Sequence, residues 1–334
     1  MTERVMTLAA VEHLCLRALT ASGASTDNAA AVARSTMLAE RDGIRSHGLL
    51  YVPIYAEHLR CGKVDGRASP VVSQPRPGAI VVDAATGFAH PAIDAGWDRF
   101  VAAAGRNGVA ALTVFNSYNC GVLGHHAERI AEAGLLGLCT THAPASIAPP
   151  GGRTPVIGTN PFALGVPDEA GGVALVLDQS ASVVAKSEIL LRSREGRPIE
   201  PGWALDADGA PTLDPVAALK GSMLPAGGYK GFGAGLLVEI LASCLSGAAL
   251  SKDASPFSGT AGGPPRTGQC FIAFDPSAFS PTFSPQVANL LGAIAGQEGA
   301  RLPGGRRRAA RQRTERDGVA VDAALIERIE AFIR

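Results

Sequence analysis

His47 stands in a short linker between Ser46 and Gly48. An imidazole titrates near neutral pH, and a neighbouring hydroxyl can orient one of its ring nitrogens. The pair suits proton transfer, and it equally suits a helix cap or a packed loop. Other stretches carry similar potential. "NSYNCGVLGHHAERIAEAG" (116–134) sets a small polar turn between a strand and a helix start. Free backbone N–H groups and the positive end of a helix dipole can receive a phosphate there. Thr159 and Asn160 lie between Gly158 and Pro161, which ordinary turn chemistry also explains. Asp178 closes an apolar run and Glu188 follows it. Two carboxylates near a strand end can position ribose hydroxyls, orient a base or cap loops.

"LPAGGYKGFGAGLLVEIL" (224–241) invites comparison with phosphate-binding fingerprints. Lys230 is followed by Gly231 rather than Ser or Thr, and Gly231, Gly233 and Gly235 miss the G-x-G-x-x-G spacing. No strand is read before it. A lysine in a glycine-rich turn that opens a helix remains a reasonable anion site. His125 and His126 are adjacent, so a helix cannot aim both at one metal, and solvent or cap contacts are expected of them. His13 and His58 read as surface or packing residues. No Cys/His set has zinc spacing, so no metal site is expected.

The elements that must position these residues follow from periodicity. Helices are predicted over 7–22, with Thr7 as N-cap, and over 26–42, capped by Ser25 or Thr26 and ended by Gly43. A third covers Leu50 to Leu59 with Pro53 in its first turn. Short apolar runs at 79–84, 108–115, 134–142 and 172–178 read as strands, with helices at 91–107 and 123–133 between them. Residues 198–215 read as loop and 232–247 as helix. A Gly/Pro loop (255–268) leads to a strand at 269–275, and helices near 285–298 and 322–333 close the chain.

Length and composition bound the classes. The 334 residues suffice for one large or two medium domains, and 46% hydrophobic content supports a real core. Net charge is zero and aromatics are 5%, which argues against nucleic acid and an anionic membrane surface. The run 301–316 holds seven arginines and one glutamate, and it reads as a solvated helix face rather than a nucleic-acid arm. Six scattered cysteines and no apolar span of ~20 residues lead to the expectation of a soluble cytoplasmic protein.

Six blocks, taken in order, resemble the malate/L-lactate dehydrogenase-like oxidoreductases. They are "RSHGLLYVPIYAEHL", "APPGGRTPVIGTNPFALGVP", "LDQSASVVAKSEI", "PGWALDADGAPTLDP", "LPAGGYKGFGAGLLVEIL" and "RLPGGRR". That family includes sulfolactate, ureidoglycolate and diketogulonate enzymes and the Δ1-piperideine-2-carboxylate/Δ1-pyrroline-2-carboxylate reductases. The resemblance implies an α/β fold with a non-Rossmann cofactor domain on a largely antiparallel sheet, here 73–284. It implies a helical domain formed by both chain ends, 1–72 and 285–334, and a homodimer or larger assembly. It implies NAD or NADP, with NADP slightly favoured by the arginines at 306–308.

By position, the resemblance makes His47 the proton donor, Ser46 its hydroxyl partner and Glu188 the carboxylate completing a relay. Tyr51 and Thr159 fall at substrate positions. Asn119, Cys120, Gly121, Val122, Leu123, Asp178, Gln179, Tyr229, Lys230, Gly304, Arg306 and Arg307 fall at cofactor positions. The implied reaction moves a hydride to or from C2 of a small carboxylate, 2-oxo acid to 2-hydroxy acid. The alternative is NADPH-dependent reduction of a cyclic 2-imino acid. Two positions depart from the family. Tyr51 stands where many members have an arginine that grips the substrate carboxylate, so Arg45, Arg153 or Lys186 would have to replace it. Asn119 stands where ureidoglycolate-type members have a histidine, which argues against that substrate.

Overall fold

The computed structural model of the protein describes residues 3–334. After β1 (Glu3–Met6), the chain forms α1 (Leu8–Ala21) and α2 (Thr26–Arg41). Thr7 and Ser25 cap them, accepting the amides of Ala10 at 3.1 Å and Asn28 at 3.4 Å. Buried Val11, Cys15, Ala18 and Leu19 of α1 share a core with Ala29, Val32 and Ala33 of α2. Two 3-10 turns, Arg45–His47 and Leu49–Tyr51, lead into α3 (Val52–Arg60), which has Pro53 in its first turn.

The middle of the chain builds β2 (Val71–Arg76), β3 (Ala79–Asp83), α4 (Ala89–Asn107), β4 (Val109–Ser117), α5 (Leu123–Glu132), β5 (Leu136–Thr141), β6 (Phe162–Pro167) and β7 (Val173–Gln179). Next come α6 (Lys186–Glu195), β8 (Ala204–Leu205), α7 (Pro215–Lys220), β9 (Ser222–Met223) and α8 (Tyr229–Glu239), which runs on as a π turn over Ile240–Cys244. The last elements are β10 (Thr267–Phe274), α9 (Phe283–Ala295), α10 (Gly305–Asp317), β11 (Val319–Asp322) and α11 (Ala323–Glu330).

Seven strands form one sheet in the order β2-β3-β4-β10-β5-β6-β7. Only β3 and β4 run parallel; every other neighbouring pair is antiparallel. The protein is therefore a mixed α/β fold with a large, mostly antiparallel sheet. α4 packs on β3 and β4, and α5 on β5, β6 and β7. Their shared core includes Ile80, Leu112, Phe100, Ile130 and Phe271. A second core joins the chain ends. Val319, Val321, Ile326 and Ile329 pack with α1–α3 and with Phe88 and Tyr118 from the middle of the chain. β1 pairs antiparallel with β11 and closes that union.

Several elements differ from the sequence expectation. β6 was hidden in the turn-rich block after Asn160, because Gly165 and Pro167 weaken its strand pattern. The short β9 precedes the glycine-rich turn, and the short β8 interrupts the loop expected at 198–215. α6 carries no clear apolar stripe; of its residues only Ile189 is buried. Of the two readings left open for His58, surface or packing, the structure selects packing, for the residue is fully buried. Its Nε2 bonds the Gly259 carbonyl at 2.9 Å and its Nδ1 bonds the Tyr118 hydroxyl. The fully buried Lys63 donates to the carbonyls of Pro256, Gly259 and Ala261 at 2.6, 3.2 and 2.9 Å. These contacts fasten the Gly/Pro loop to the end of α3.

α5 approaches β6 very closely because Gly165 has no side chain. A Cβ there would lie 1.9 Å from the Ala127 carbonyl oxygen. Gly165→Ala is expected to lift α5 from the sheet and to cost about 2–3 kcal/mol in urea denaturation. Gly105→Ala is the contrast. It meets nothing within 4 Å in α4 and is expected to be neutral or stabilising by about 0.5–1 kcal/mol.

Candidate active site

The linker after α2 is held by a buried carboxylate. Glu40 Oε1 accepts the Leu49 amide at 2.7 Å, and a Cβ on Gly48 would fall 2.1 Å from that same oxygen. Burial raises the Glu40 pKa, with the Leu49 amide and Arg45 opposing. Ser-His-Gly is thus forced into tight turns. Ser46 Oγ lies 3.0 Å from His47 Nδ1, so the other ring nitrogen is free of that bond. Burial lowers the His47 pKa; the Asp178 charge opposes this, and His125 and Arg307 add to it. Sequence reading passed over Glu40, whose only signal is a carboxylate at a helix end before Ser-His-Gly.

Asp178, at the end of β7, is the meeting point of three elements. Its Oδ2 accepts the Gly124 amide at 2.9 Å and Arg307 Nη2 at 2.6 Å. The first turns of α5 and α10 therefore converge on it. The Asn119–Leu123 turn leads into this junction. Asn119 Oδ1 accepts the Gly121 amide at 2.7 Å and the Tyr55 hydroxyl at 3.4 Å. Gly121 has φ +69°, and a Cβ there would meet Ser35 Oγ at 2.6 Å. Cys120 and Leu123 bury their side chains in the sheet core, and burial pushes the Cys120 thiol up to about 12. At those positions the turn offers a ligand backbone groups rather than side chains.

The strand end also reaches the other proposed segments. The Ala181 amide donates to the Thr159 carbonyl at 2.8 Å, and the Ala226 amide to the Ala181 carbonyl at 2.8 Å. Gln179 lies on this path, between Asp178 and the entry to α8. Tyr229 and Lys230 open α8 and are exposed, Tyr229 at 70%. The N-caps Val122, Gly228 and Gly304 of α5, α8 and α10 make no side-chain cap bond. Helix N-termini left this way attract anions. A cleft of about 390 Å3 beside the junction is lined by Val176, Gly304, Arg307, Arg308, Arg311 and Glu128. The start of α10 with Arg307 and Arg308 suits a polyanionic nucleotide, and Glu132 lines the same cleft beside Glu128. Arg311 is committed elsewhere, to Asp42 and Glu128. Arg306 and Arg308 have no acidic partner among the described residues.

His125 and His126 are not solvent contacts. His125 Nε2 donates to Asp42 at 3.1 Å, and His126 Nε2 to the Cys120 carbonyl at 2.9 Å. Asp42, whose side chain is fully buried, also takes Arg41 at 2.8 Å and Arg311 at 2.8 and 3.0 Å. Burial raises its pKa, but the bonds from His125, Arg311 and Arg41 outweigh burial and hold it well below the usual carboxylate range. Asp42 thereby ties the end of α2 to α5 and α10. The sequence carried no sign of this beyond a charged residue before Gly43.

Two positions differ from what the family resemblance implied. Glu188 accepts Arg192 Nε at 3.3 Å, an i,i+4 pair on α6, and Arg192 also binds Glu200 at 2.9 Å. The structure does not bring Glu188 into hydrogen-bonding contact with Ser46 or His47. Tyr51 packs against Tyr55 in a tilted arrangement, with ring centroids 4.8 Å apart and the planes at 59°. Burial pushes its phenol up to about 12, with hydrogen bonds to Tyr118 and Asn119 opposing. Tyr51 is thus a neutral donor at neutral pH. Of the basic substitutes, Arg45 reaches the Ala320 carbonyl at 3.5 Å, and Arg153 packs over Gly209. Lys186, at the start of α6, has no acidic partner among the described residues.

The fold and this site place the chain among the oxidoreductases, and the comparisons bear this out. The malate/L-lactate dehydrogenase model matches residues 6–330, and the chain belongs to that family. A Δ1-pyrroline-2-carboxylate reductase of Ancylobacter novellus is 40% identical over 331 residues, covering 98% of this chain and 97% of that protein. A (2R)-3-sulfolactate dehydrogenase (NADP+) of Chromohalobacter salexigens is 40% identical over 332 residues, covering 98% of both chains. The structure of Δ1-piperideine-2-carboxylate reductase from Pseudomonas syringae pv. tomato superposes with TM-score 0.92 at 34% identity, covering 98% of this chain and 99% of that one. The activity common to these names is oxidoreduction of small carboxylic acids, and the sulfolactate enzyme carries NADP+ in its name.

Arg307→Met removes a cation near His47 and frees the Asp178 carboxylate. Both changes favour the imidazolium, so the pH at which His47 titrates is expected to rise. Histidine ring resonances followed by NMR against pH measure this directly. A titration that stays in place or moves down contradicts the assigned electrostatics.

Proposed function

We propose that this protein reduces C2 of a small cyclic 2-imino carboxylate with a nicotinamide nucleotide, reversibly. The carrying observation is the Ser46–His47 pair at 3.0 Å, with His47 in the field of the Asp178–Arg307 junction. The relatives named as Δ1-pyrroline-2-carboxylate and Δ1-piperideine-2-carboxylate reductases favour the imino acid. The equally similar sulfolactate dehydrogenase supports a second reading, a 2-oxo acid reduced to a 2-hydroxy acid. That relative's use of NADP+ supports NADP over NAD here, with Arg306 and Arg308, which have no acidic partner among the described residues, able to meet a 2′-phosphate.

When bound, the cofactor supplies the hydride. The chain supplies everything else. Asn119–Leu123, Asp178–Gln179, Tyr229–Lys230 and Gly304–Arg307 would hold the nucleotide. His47 would hold the proton that the reduced nitrogen or oxygen takes up. With Nδ1 bonded to Ser46, Nε2 is the nitrogen left for the substrate. Tyr51 and Thr159 would bound the substrate with neutral hydroxyls, and Lys186 is the basic group nearest to being free for its carboxylate. The helical region 1–72 and 285–334 would contribute His47 and the Gly304–Arg307 contact, and 73–284 the remaining nucleotide contacts.

A homodimer fits the surface. α9 is apolar yet buries none of its residues, with Leu290 62% exposed, and Leu237 and Ile240 of α8 are 54% and 52% exposed. Among the described residues no helix is long and apolar enough to cross a membrane. The six cysteines are free thiols, which supports a reducing compartment such as the cytoplasm.

His47→Ala is expected to lower turnover at least ~100-fold with NADPH affinity kept. Near-normal turnover would remove His47 from the mechanism. NADPH oxidation with Δ1-pyrroline-2-carboxylate, Δ1-piperideine-2-carboxylate, sulfopyruvate, oxaloacetate and pyruvate ranks the two readings. A preference for the open-chain acids by kcat/KM would replace the first reading with the second.

A further inference from the structure

A buried polar network lies behind Thr159. Its hub is Glu239, which is 5% exposed and has no lysine or arginine partner among the described residues. Oε1 accepts the Ser251 amide at 2.7 Å; Oε2 accepts Asn160 Nδ2 at 2.8 Å and the Ser251 hydroxyl at 2.5 Å. With its own hydrogen directed to Glu239, Ser251 Oγ accepts from His142 Nδ1 at 3.2 Å. Burial lowers the His142 pKa to about 4, with the Glu239 charge opposing, so the ring is neutral at pH 7. The chain of donors and acceptors therefore has one direction, His142 to Ser251 to Glu239.

Asn160 is the far end of this network. It is fully buried and left-handed at φ 37°, a conformation asparagine tolerates better than most residues. Its Oδ1 accepts the Ala143 amide at 3.3 Å, and its Nδ2 also donates to the Gly235 carbonyl at 3.0 Å. The neighbouring backbone has no slack, because a Cβ on Gly158 would fall 2.1 Å from the Ala143 carbonyl oxygen. Burying a carboxylate without a cation is costly, and apolar packing would serve stability as well. The expensive arrangement is kept at the residue next to Thr159.

We propose that Glu239 is a positioning residue that, by fixing Asn160 in its left-handed conformation, sets where Thr159 meets the substrate. This rests on reading Thr159 as a substrate contact. Glu239→Gln is nearly isosteric but introduces an amide NH2. That group must oppose either Asn160 Nδ2 or the Ser251 amide, donor against donor.

The test is steady-state kinetics of the full-length enzyme with NADPH and Δ1-pyrroline-2-carboxylate, or sulfopyruvate if that is the one turned over. Glu239→Gln is expected to raise the substrate KM about 10-fold, leave kcat within about 3-fold and leave the NADPH Kd, read by fluorescence, within about 2-fold. Ser251→Ala, which keeps the Asn160 bond, is the milder variant, with an expected KM rise of about 3-fold. If Glu239→Gln does not fold, Ser251→Ala decides. An unchanged KM in the folded variant, or a loss confined to NADPH affinity, overturns the assignment. The Thr159 methyl resonance, free of any substrate, is expected to shift in Glu239→Gln; an unmoved resonance also overturns it. Wild-type enzyme that binds no NADPH defeats the proposed function instead, and the methyl resonance still judges Glu239.

Discussion

The Asp178 carboxylate is the interaction on which the rest of the site depends. One oxygen receives a backbone amide from the first turn of α5 and a guanidinium from the first turn of α10. Those helices lie far apart in sequence, and the strand that carries Asp178 belongs to neither. A charge-assisted bond at 2.6 Å holds two helix N-termini together that would otherwise repel through their like dipoles. It also puts a negative charge where His47 feels it. The same group thus joins α5 to α10 and biases the titration of the nearby imidazole.

Asp42 and Glu40 do the corresponding work on the helical side. Asp42 gathers Arg41, His125 and Arg311, so the end of α2 is fixed against α5 and α10. Glu40, half a turn earlier, sets the turn that presents Ser46 and His47. Two carboxylates separated by one residue, with opposite pKa directions, illustrate how context decides. Glu40 has one amide and distant arginine charge against burial, and its pKa rises. Asp42 has three direct basic donors, and its pKa falls. Burial governs the first and direct ion pairing the second, and together they fix the linker that carries Ser46 and His47 against α5 and α10.

The Glu188 and Tyr51 positions show where family resemblance and local physics part. A glutamate with an arginine four residues later on an exposed helix face pairs with it, and Glu188 does so. Tyr51 packs against Tyr55 and burial keeps its phenol neutral, so it cannot supply the charge an arginine would.

By itself the sequence determined the local elements and the order of the motifs. Helical periodicity, Thr7 and Ser25 caps and the apolar strands at 79–83, 109–117, 136–141 and 173–179 are local properties, and they were legible. So were His47 with its hydroxyl partner and the three glycine-rich segments. β6 was not legible, because its turn residues mask a strand that exists only where Gly165 admits α5. Nor were Glu40, Asp42 and Glu239 legible as site residues, since a carboxylate's role depends on which distant donors fold onto it. Tertiary structure alone decided that Arg307 meets Asp178, that Asn160 meets Glu239 and that Glu188 turns to Arg192. Hydrogen bonds and ion pairs are short-ranged and directional, so they are written by contacts between segments that sequence spacing does not encode.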